Sequence, residues 1–271
     1  RTGQQMKPWL PVAGTVDSLT EGDRRDTFVD WLVKVENPYF ARIEANRIWS
    51  ECFARGIVEP IDDFRDSNPP CNEPLLDALA RDFAEHSFDR KYLLRTILNS
   101  RTYQASYQAN DSNREDQIYF SHQLPRLLSA EQLLDAINHA TGLQEQFLNL
   151  PSGTKATHLP APDLVKLDFL KVFGQPERST VCACERSSDS NLGMAIELFN
   201  GPTIHKKLQQ DENRFRSALK NEKTLQEILD QLYLAAVCRL PTEFERKAAV
   251  EHCSQRETPA DGLADVCWAL L

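Results

Sequence analysis

The chain has 271 residues, 41% apolar and 26% charged, which suits a folded globular protein of one large domain or two small ones. Its 31 basic and 40 acidic residues leave a formal net charge of −9. Phosphate binding needs a basic patch, so nucleic acid and anionic membrane surfaces are excluded as main partners. No run approaches the ~20 apolar residues of a membrane-spanning helix, and residues 1–16 lack the apolar centre of a signal peptide. A first residue other than Met and a final apolar run, residues 266–271, read as a fragment of a longer chain.

In chain order, residues 1–21 read as an irregular lead-in with Pro8, Pro11 and Gly14. A helix fits 24–35, with Phe28, Trp31, Leu32 and Val35 on one stripe. Asn37-Pro38 opens a second helix as N-cap and first helical residue, with Phe40, Ile43, Trp49, Cys52 and Phe53 inward and Gly56 as terminator. An acidic loop over 59–72 follows. Helices then fit 73–85 (Leu75, Leu76, Leu79, Phe83) and 89–100 (Tyr92, Leu93, Thr96, Ile97), the latter N-capped by Asp89. Residues 104–117 read as a surface loop. Ser129-Ala130-Glu131-Gln132 is a capping box, and Gly142 closes its helix.

Composition shifts to Pro, Ser, Thr and Gly over 148–162, which marks an internal boundary. A short apolar turn over 169–173 and a loop over 174–189 come next. Helices then fit 192–199, 203–220, 224–239, 242–255 and 259 to the end, with Thr242-Glu243-Phe244-Glu245 as another capping box. Alternating strand patterns are almost absent, so the expected class is all-α. The expected plan is a helical subdomain over 22–147, an irregular connector over 148–190, and a second helical subdomain over 191–271 that is cut short at its end.

Three groups of residues could carry chemistry. Cys182-Ala183-Cys184-Glu185-Arg186 sits in a loop before a helix. Thiolates at i and i+2 can both reach one soft metal but supply two of the four ligands that tetrahedral zinc wants. The following helix N-terminus favours a thiolate, each Cys can also pair elsewhere, and a plain structural loop explains the same residues. Asp62 and Asp63, with Glu59, Asp66 and Asn68, offer oxygens for a hard cation, without the spacing of an EF-hand. Asn46 and Arg47 with Trp49, and Asn99 with Arg101 and Tyr103, place polar groups on apolar helix faces, as a buried network holding two helices in register or as a pocket lining. Arg126 is the expected ion-pair partner of the acidic loop. Cys52, Cys238, Cys253 and Cys267 fall in helical apolar patterns that suit buried thiols. There is no Cys-x-x-Cys-His haem motif, no Gly-x-Ser-x-Gly elbow, no His-Glu-x-x-His and no Gly-rich phosphate loop. Asn200-Gly201-Pro202-Thr203 reads as a helix break with an N-cap.

Several phrases, in order, carry a family resemblance. They include Gly22-Asp23-Arg24-Arg25, Asn37-Pro38-Tyr39-Phe40-Ala41-Arg42, Asn46-Arg47-Ile48-Trp49, Arg55-Gly56-Ile57-Val58 and Asn99-Ser100-Arg101-Thr102-Tyr103. Further on come Arg126-Leu127-Leu128-Ser129, Cys182-Ala183-Cys184-Glu185-Arg186, Asn200-Gly201-Pro202-Thr203 and Arg239-Leu240-Pro241-Thr242. From about Gly22 to the end, the chain resembles a domain of unknown function found in planctomycetes and related bacteria. That domain lies C-terminal to a planctomycete cytochrome C domain in large exported proteins. The resemblance implies an extracytoplasmic setting, upstream domains of the same polypeptide as partners, and a c-type haem in one of those domains rather than in this segment. It assigns no reaction and no catalytic residue. The reading it supports is a non-catalytic interaction or structural module, the alternative being a metal-dependent or redox enzyme domain centred on Cys182, Cys184 and Glu185.

Overall fold

The computed structural model describes residues 9–10, 14–15, 23–34, 37, 39–161, 164–176 and 191–271. Helices dominate them, as the all-α reading expects; β1 (Trp9–Leu10) and β2 (Gly14–Thr15) form only a two-residue antiparallel pairing. The chain divides into two compact units, Arg1–Arg126 and Leu127–Leu271.

The first unit holds α1 (Arg24–Leu32), α2 (Phe40–Phe53), α3 (Glu73–Glu85) and α4 (Arg90–Leu98). Asp23 caps α1 by accepting from the Arg25 amide at 2.9 Å. Although α2 begins at Phe40, Asn37 keeps its expected role: its Oδ1 accepts from the amides of Tyr39 (2.9 Å) and Phe40 (3.2 Å). Asp89 caps α4 through the Lys91 and Tyr92 amides. Ile48, Trp49 and Phe53 of α2 meet Leu76 and Phe83 of α3 and Leu93 and Ile97 of α4 in one core. Each such side chain contributes roughly 1.5–3 kcal/mol by leaving water. Of the stripe expected on α1, Phe28 is exposed, Trp31 and Leu32 are half-buried, and Val35 lies outside the described residues.

The second unit holds α5 (Ala130–Thr141), α6 (Asp168–Val172), α7 (Leu192–Asn200), α8 (Pro202–Gln209), α9 (Arg214–Lys220), α10 (Leu225–Val237), α11 (Glu243–Gln255) and α12 (Pro259–Leu270). Capping boxes open α5, α10 and α11 at Ser129, Thr224 and Thr242, and Gly142 closes α5 at φ 73°. Leu134, Ile137, Phe169, Leu170, Phe215, Ile228 and Leu263 form its core. Lys207 of α8 is buried and meets Glu145 at 2.9 Å.

Two expectations are corrected. The division between units falls after Arg126, not in a connector over 148–190. The Pro- and Ser-rich stretch is bound to α5 instead, because Asp135 accepts from the amides of Ala156 (2.8 Å) and Thr157 (3.0 Å). The helix expected over 203–220 is two helices. Buried Asn213 breaks it by donating to the Lys207 and Leu208 carbonyls and capping α9 through the Arg216 amide at 2.9 Å.

Glu145→Ala leaves the buried Lys207 ammonium without its counter-charge, and urea unfolding should show a loss of ~3 kcal/mol; an unchanged midpoint would contradict this. A second test concerns pH. The Arg239 guanidinium and the Thr242 cap hold the half-buried Glu245 carboxyl at about 2, below its ordinary 4.5. A depressed folded value means stability that is present above the ordinary carboxylate range and lost as pH falls from 4.5 toward 2. Thermal melts across that range should show a shallower decline for Glu245→Gln than for the parent chain.

Candidate functional site

Of the residues picked out in the sequence, Asn46 has the most definite role. It is wholly buried on α2, and its amide donates to the carbonyls of Val58 (3.0 Å) and Ile61 (2.8 Å) while its Oδ1 accepts from the Val58 amide at 3.0 Å. It thus pins the start of the acidic loop to the helix. Gly56 is needed for the same closure, since a Cβ there would lie 2.2 Å from the Val58 carbonyl oxygen and 2.9 Å from the Asn46 amide. It is not the left-handed terminator of α2; Ala54 takes that conformation, at φ 59°.

The acidic loop is stapled by its own cations. Arg47 grips Asp62 with two hydrogen bonds (2.9 and 3.1 Å), Arg65 grips Asp63 (2.5 and 2.6 Å), and Glu59 accepts from the Gly56 amide at 2.9 Å. Asp62 and Asp63 therefore face guanidinium groups in this structure. Among the described residues no three His, Cys, Asp or Glu side chains converge as metal ligands.

Asn99 does not join Asn46. It donates to the Arg95 carbonyl at 2.9 Å and so finishes its own helix. Arg126 is also placed differently from expectation: it donates to the Glu51 backbone carbonyl near the end of α2, not to the acidic loop. A helix C-terminus offers unpaired carbonyls and a negative dipole end, which suit a guanidinium.

Cys182, Cys184, Glu185 and Arg186 lie outside the described residues. The described cysteines, Cys52, Cys71, Cys238, Cys253 and Cys267, are free thiols. Burial pushes the Cys267 thiol up to about 12, the behaviour of a packed thiol rather than a reactive one. Cys238 departs from its expected place by being exposed at the end of α10.

A cleft that sequence reasoning missed opens in the second unit between α7, α8 and α12, with a volume of about 220 Å³. It forms where Asn200-Gly201-Pro202-Thr203 turns the chain from α7 into α8. Gly201 permits the turn, since a Cβ there would lie 2.1 Å from the Glu197 carbonyl oxygen. Trp268 stands at the cleft, its indole donating to the Leu198 carbonyl at 3.3 Å and its ring 5.6 Å from that of Phe199. His205 of α8, bonded to Gln209 (2.8 Å), and Asp265, three residues before Trp268 on α12, also line it. Burial pushes Asp265 up, but His252 at 2.9 Å and Arg256 at 2.6 Å outweigh it and hold its carboxyl below the ordinary value.

Arg216 is the exception in this cleft. Its side chain is three-quarters buried, its guanidinium makes no hydrogen bond among the described residues, its Nε is enclosed without a partner, and Asp261 is 4.0 Å away. Arg and His on short helices read from sequence as solvated charge; the only usable signal was the helix break at Gly201 and Pro202.

The family model described as PSD1, protein of unknown function (DUF1553), matches residues 24–253, and the chain belongs to that family. This agrees with the resemblance carried by the sequence phrases. No curated protein and no solved structure matches the chain.

Asn46→Ala removes three buried hydrogen bonds and leaves two carbonyls and an amide without partners. A loss of ~3 kcal/mol in urea unfolding is expected, with faster amide exchange at Val58. An exchange rate at Val58 equal to that of the parent chain would contradict the pinning role.

Proposed function

We propose that this PSD1 family member is a non-catalytic helical interaction module of a larger exported protein, docking the preceding domains of the same polypeptide through α7. The observation that carries this reading is the outer face of that helix. Leu192, Ile196 and Phe199, at i, i+4 and i+7, are 76%, 55% and 66% exposed, a continuous apolar stripe along one helical face. Scattered exposed apolar residues need no explanation, but a stripe in register does, because contiguous apolar surface marks interaction sites. The opposite side of α7 already packs, with Met194 buried in the core.

The acidic net charge is consistent with a protein partner rather than nucleic acid. Among the described residues no helix is long and apolar enough to cross a membrane. On this reading the c-type haem implied by the resemblance belongs to a preceding domain. The alternative, metal or redox chemistry at Cys182, Cys184 and Glu185, gains no geometric support from the described residues.

Calorimetric titration of the chain with its separately expressed preceding domains tests the proposal. Binding that Ile196→Glu weakens by tenfold or more, while the melting temperature of the chain is unchanged, is the expected result. Absence of binding, or binding indifferent to a charge at Ile196, would overturn it.

A further inference from the structure

We propose that the cleft between α7, α8 and α12 binds a neutral polyhydroxylated ring, a pyranose unit of a saccharide. Its size sets the first limit. At about 220 Å³ it is smaller than the ~300–1,000 Å³ of pockets for drug-sized ligands, so it suits one small ring.

Hydrogen-bond accounting sets the second. The Arg216 side chain is a quarter exposed; its guanidinium makes no hydrogen bond to a protein acceptor, its Nε is enclosed and its Nη groups keep access to the cleft. A ligand oxygen in the cleft would take up the Nη donors, which no protein acceptor uses, while the enclosed Nε lies beyond its reach.

Charge decides the kind of oxygen. Asp261 faces Arg216, and Asp265 is already held by Arg256 and His252, so the cleft has no positive excess. A phosphate or carboxylate entering beside Arg216 would also meet Asp261. A hydroxyl group meets both demands, because it accepts from a guanidinium and donates to a carboxylate. The 4.0 Å separation of Arg216 from Asp261 is too long for a direct hydrogen bond. Adjacent hydroxyls on one ring can take one group each.

Shape supplies the last element. The Trp268 ring is partly exposed and fixed on two sides, by the Leu198 carbonyl and by Phe199. A fixed indole offers a flat apolar face with a negative quadrupole, against which the polarised C–H face of a pyranose packs. His205 and Gln209 add polar atoms at the side. The cleft shares Phe199 with the α7 docking stripe, but Ile196 does not line it, so Ile196→Glu tests docking and Arg216→Gln tests the cleft separately.

The test uses the 271-residue chain. Saturation-transfer NMR and calorimetry would be run with D-glucose, D-galactose, D-mannose and D-xylose, then with their β-1,4-linked tetrasaccharides, and with inorganic phosphate as the anionic probe. Saturable binding of at least one neutral sugar, with no competition from phosphate, is expected. Tighter binding of a tetrasaccharide than of its monomer assigns the site to a polymer, and equal binding assigns it to a free sugar; both support the proposal. Arg216→Gln should weaken binding by about tenfold or more. The exposed His205→Ala, which keeps the packed residues intact, should weaken it less and provides the reading if the first variant melts early. No saturable sugar binding, displacement by phosphate, or full affinity in both variants would overturn the proposal.

Discussion

A fold made almost entirely of helices has to satisfy the amides and carbonyls that every helix leaves unpaired at its ends, and this chain does so with local N-caps and with side chains sent from other elements. Arg214 donates to the carbonyls of Ala140 (3.0 Å) and His139 (2.6 Å) at the end of α5, while Gly142 gives it room. Asn213 performs two tasks at once, closing α8 and opening α9. In the first unit Arg126 reaches the Glu51 carbonyl, and Asn46 satisfies the turn that leaves α2. These bonds fix helix ends, and helix ends fix where each helix points.

Seen this way, the positions of the cleft residues follow from caps rather than from any local strain. The Asn213 cap sets Arg216 one turn into α9, the Thr258 hydroxyl accepts from the Asp261 amide at the start of α12, and Gly201 sets the angle between α7 and α8. Two arginines two residues apart on one short helix have opposite fates. Arg214 spends its donors on backbone carbonyls, whereas Arg216 keeps all of its own inside a cavity that also holds Asp261 and Trp268. A partly exposed guanidinium that gives no hydrogen bond to the protein adds little to stability, and its enclosed Nε subtracts from it.

The sequence was most legible where the physics is local. Ser129 with Gln132, Thr242 with Glu245 and Asp89 act as read, because a cap is decided by residues three positions apart. Asn46 was recognised as a polar group on an apolar face, but its partner proved to be the turn carrying Val58 and Ile61, not Asn99. The boundary between units was misplaced for a related reason. A Pro- and Ser-rich composition marks irregular backbone, and irregular backbone tied to Asp135 stays within its unit. Arg216 was invisible: nothing in its neighbours distinguishes a fully solvated cation from one that lines a cleft, and only the packing of α8 and α12 around it makes the difference.

That difference can be measured without any ligand. Urea unfolding of Arg214→Met and Arg216→Met compares two substitutions that keep the length and apolar packing of the stem while removing the guanidinium. Arg214→Met should lose about 2 kcal/mol or more, because two charge-assisted bonds to helix-end carbonyls disappear. Arg216→Met should be as stable as the parent chain or more so. A loss at Arg216 equal to that at Arg214 would show that its guanidinium serves the fold, and would contradict the assignment of the cleft as a binding site.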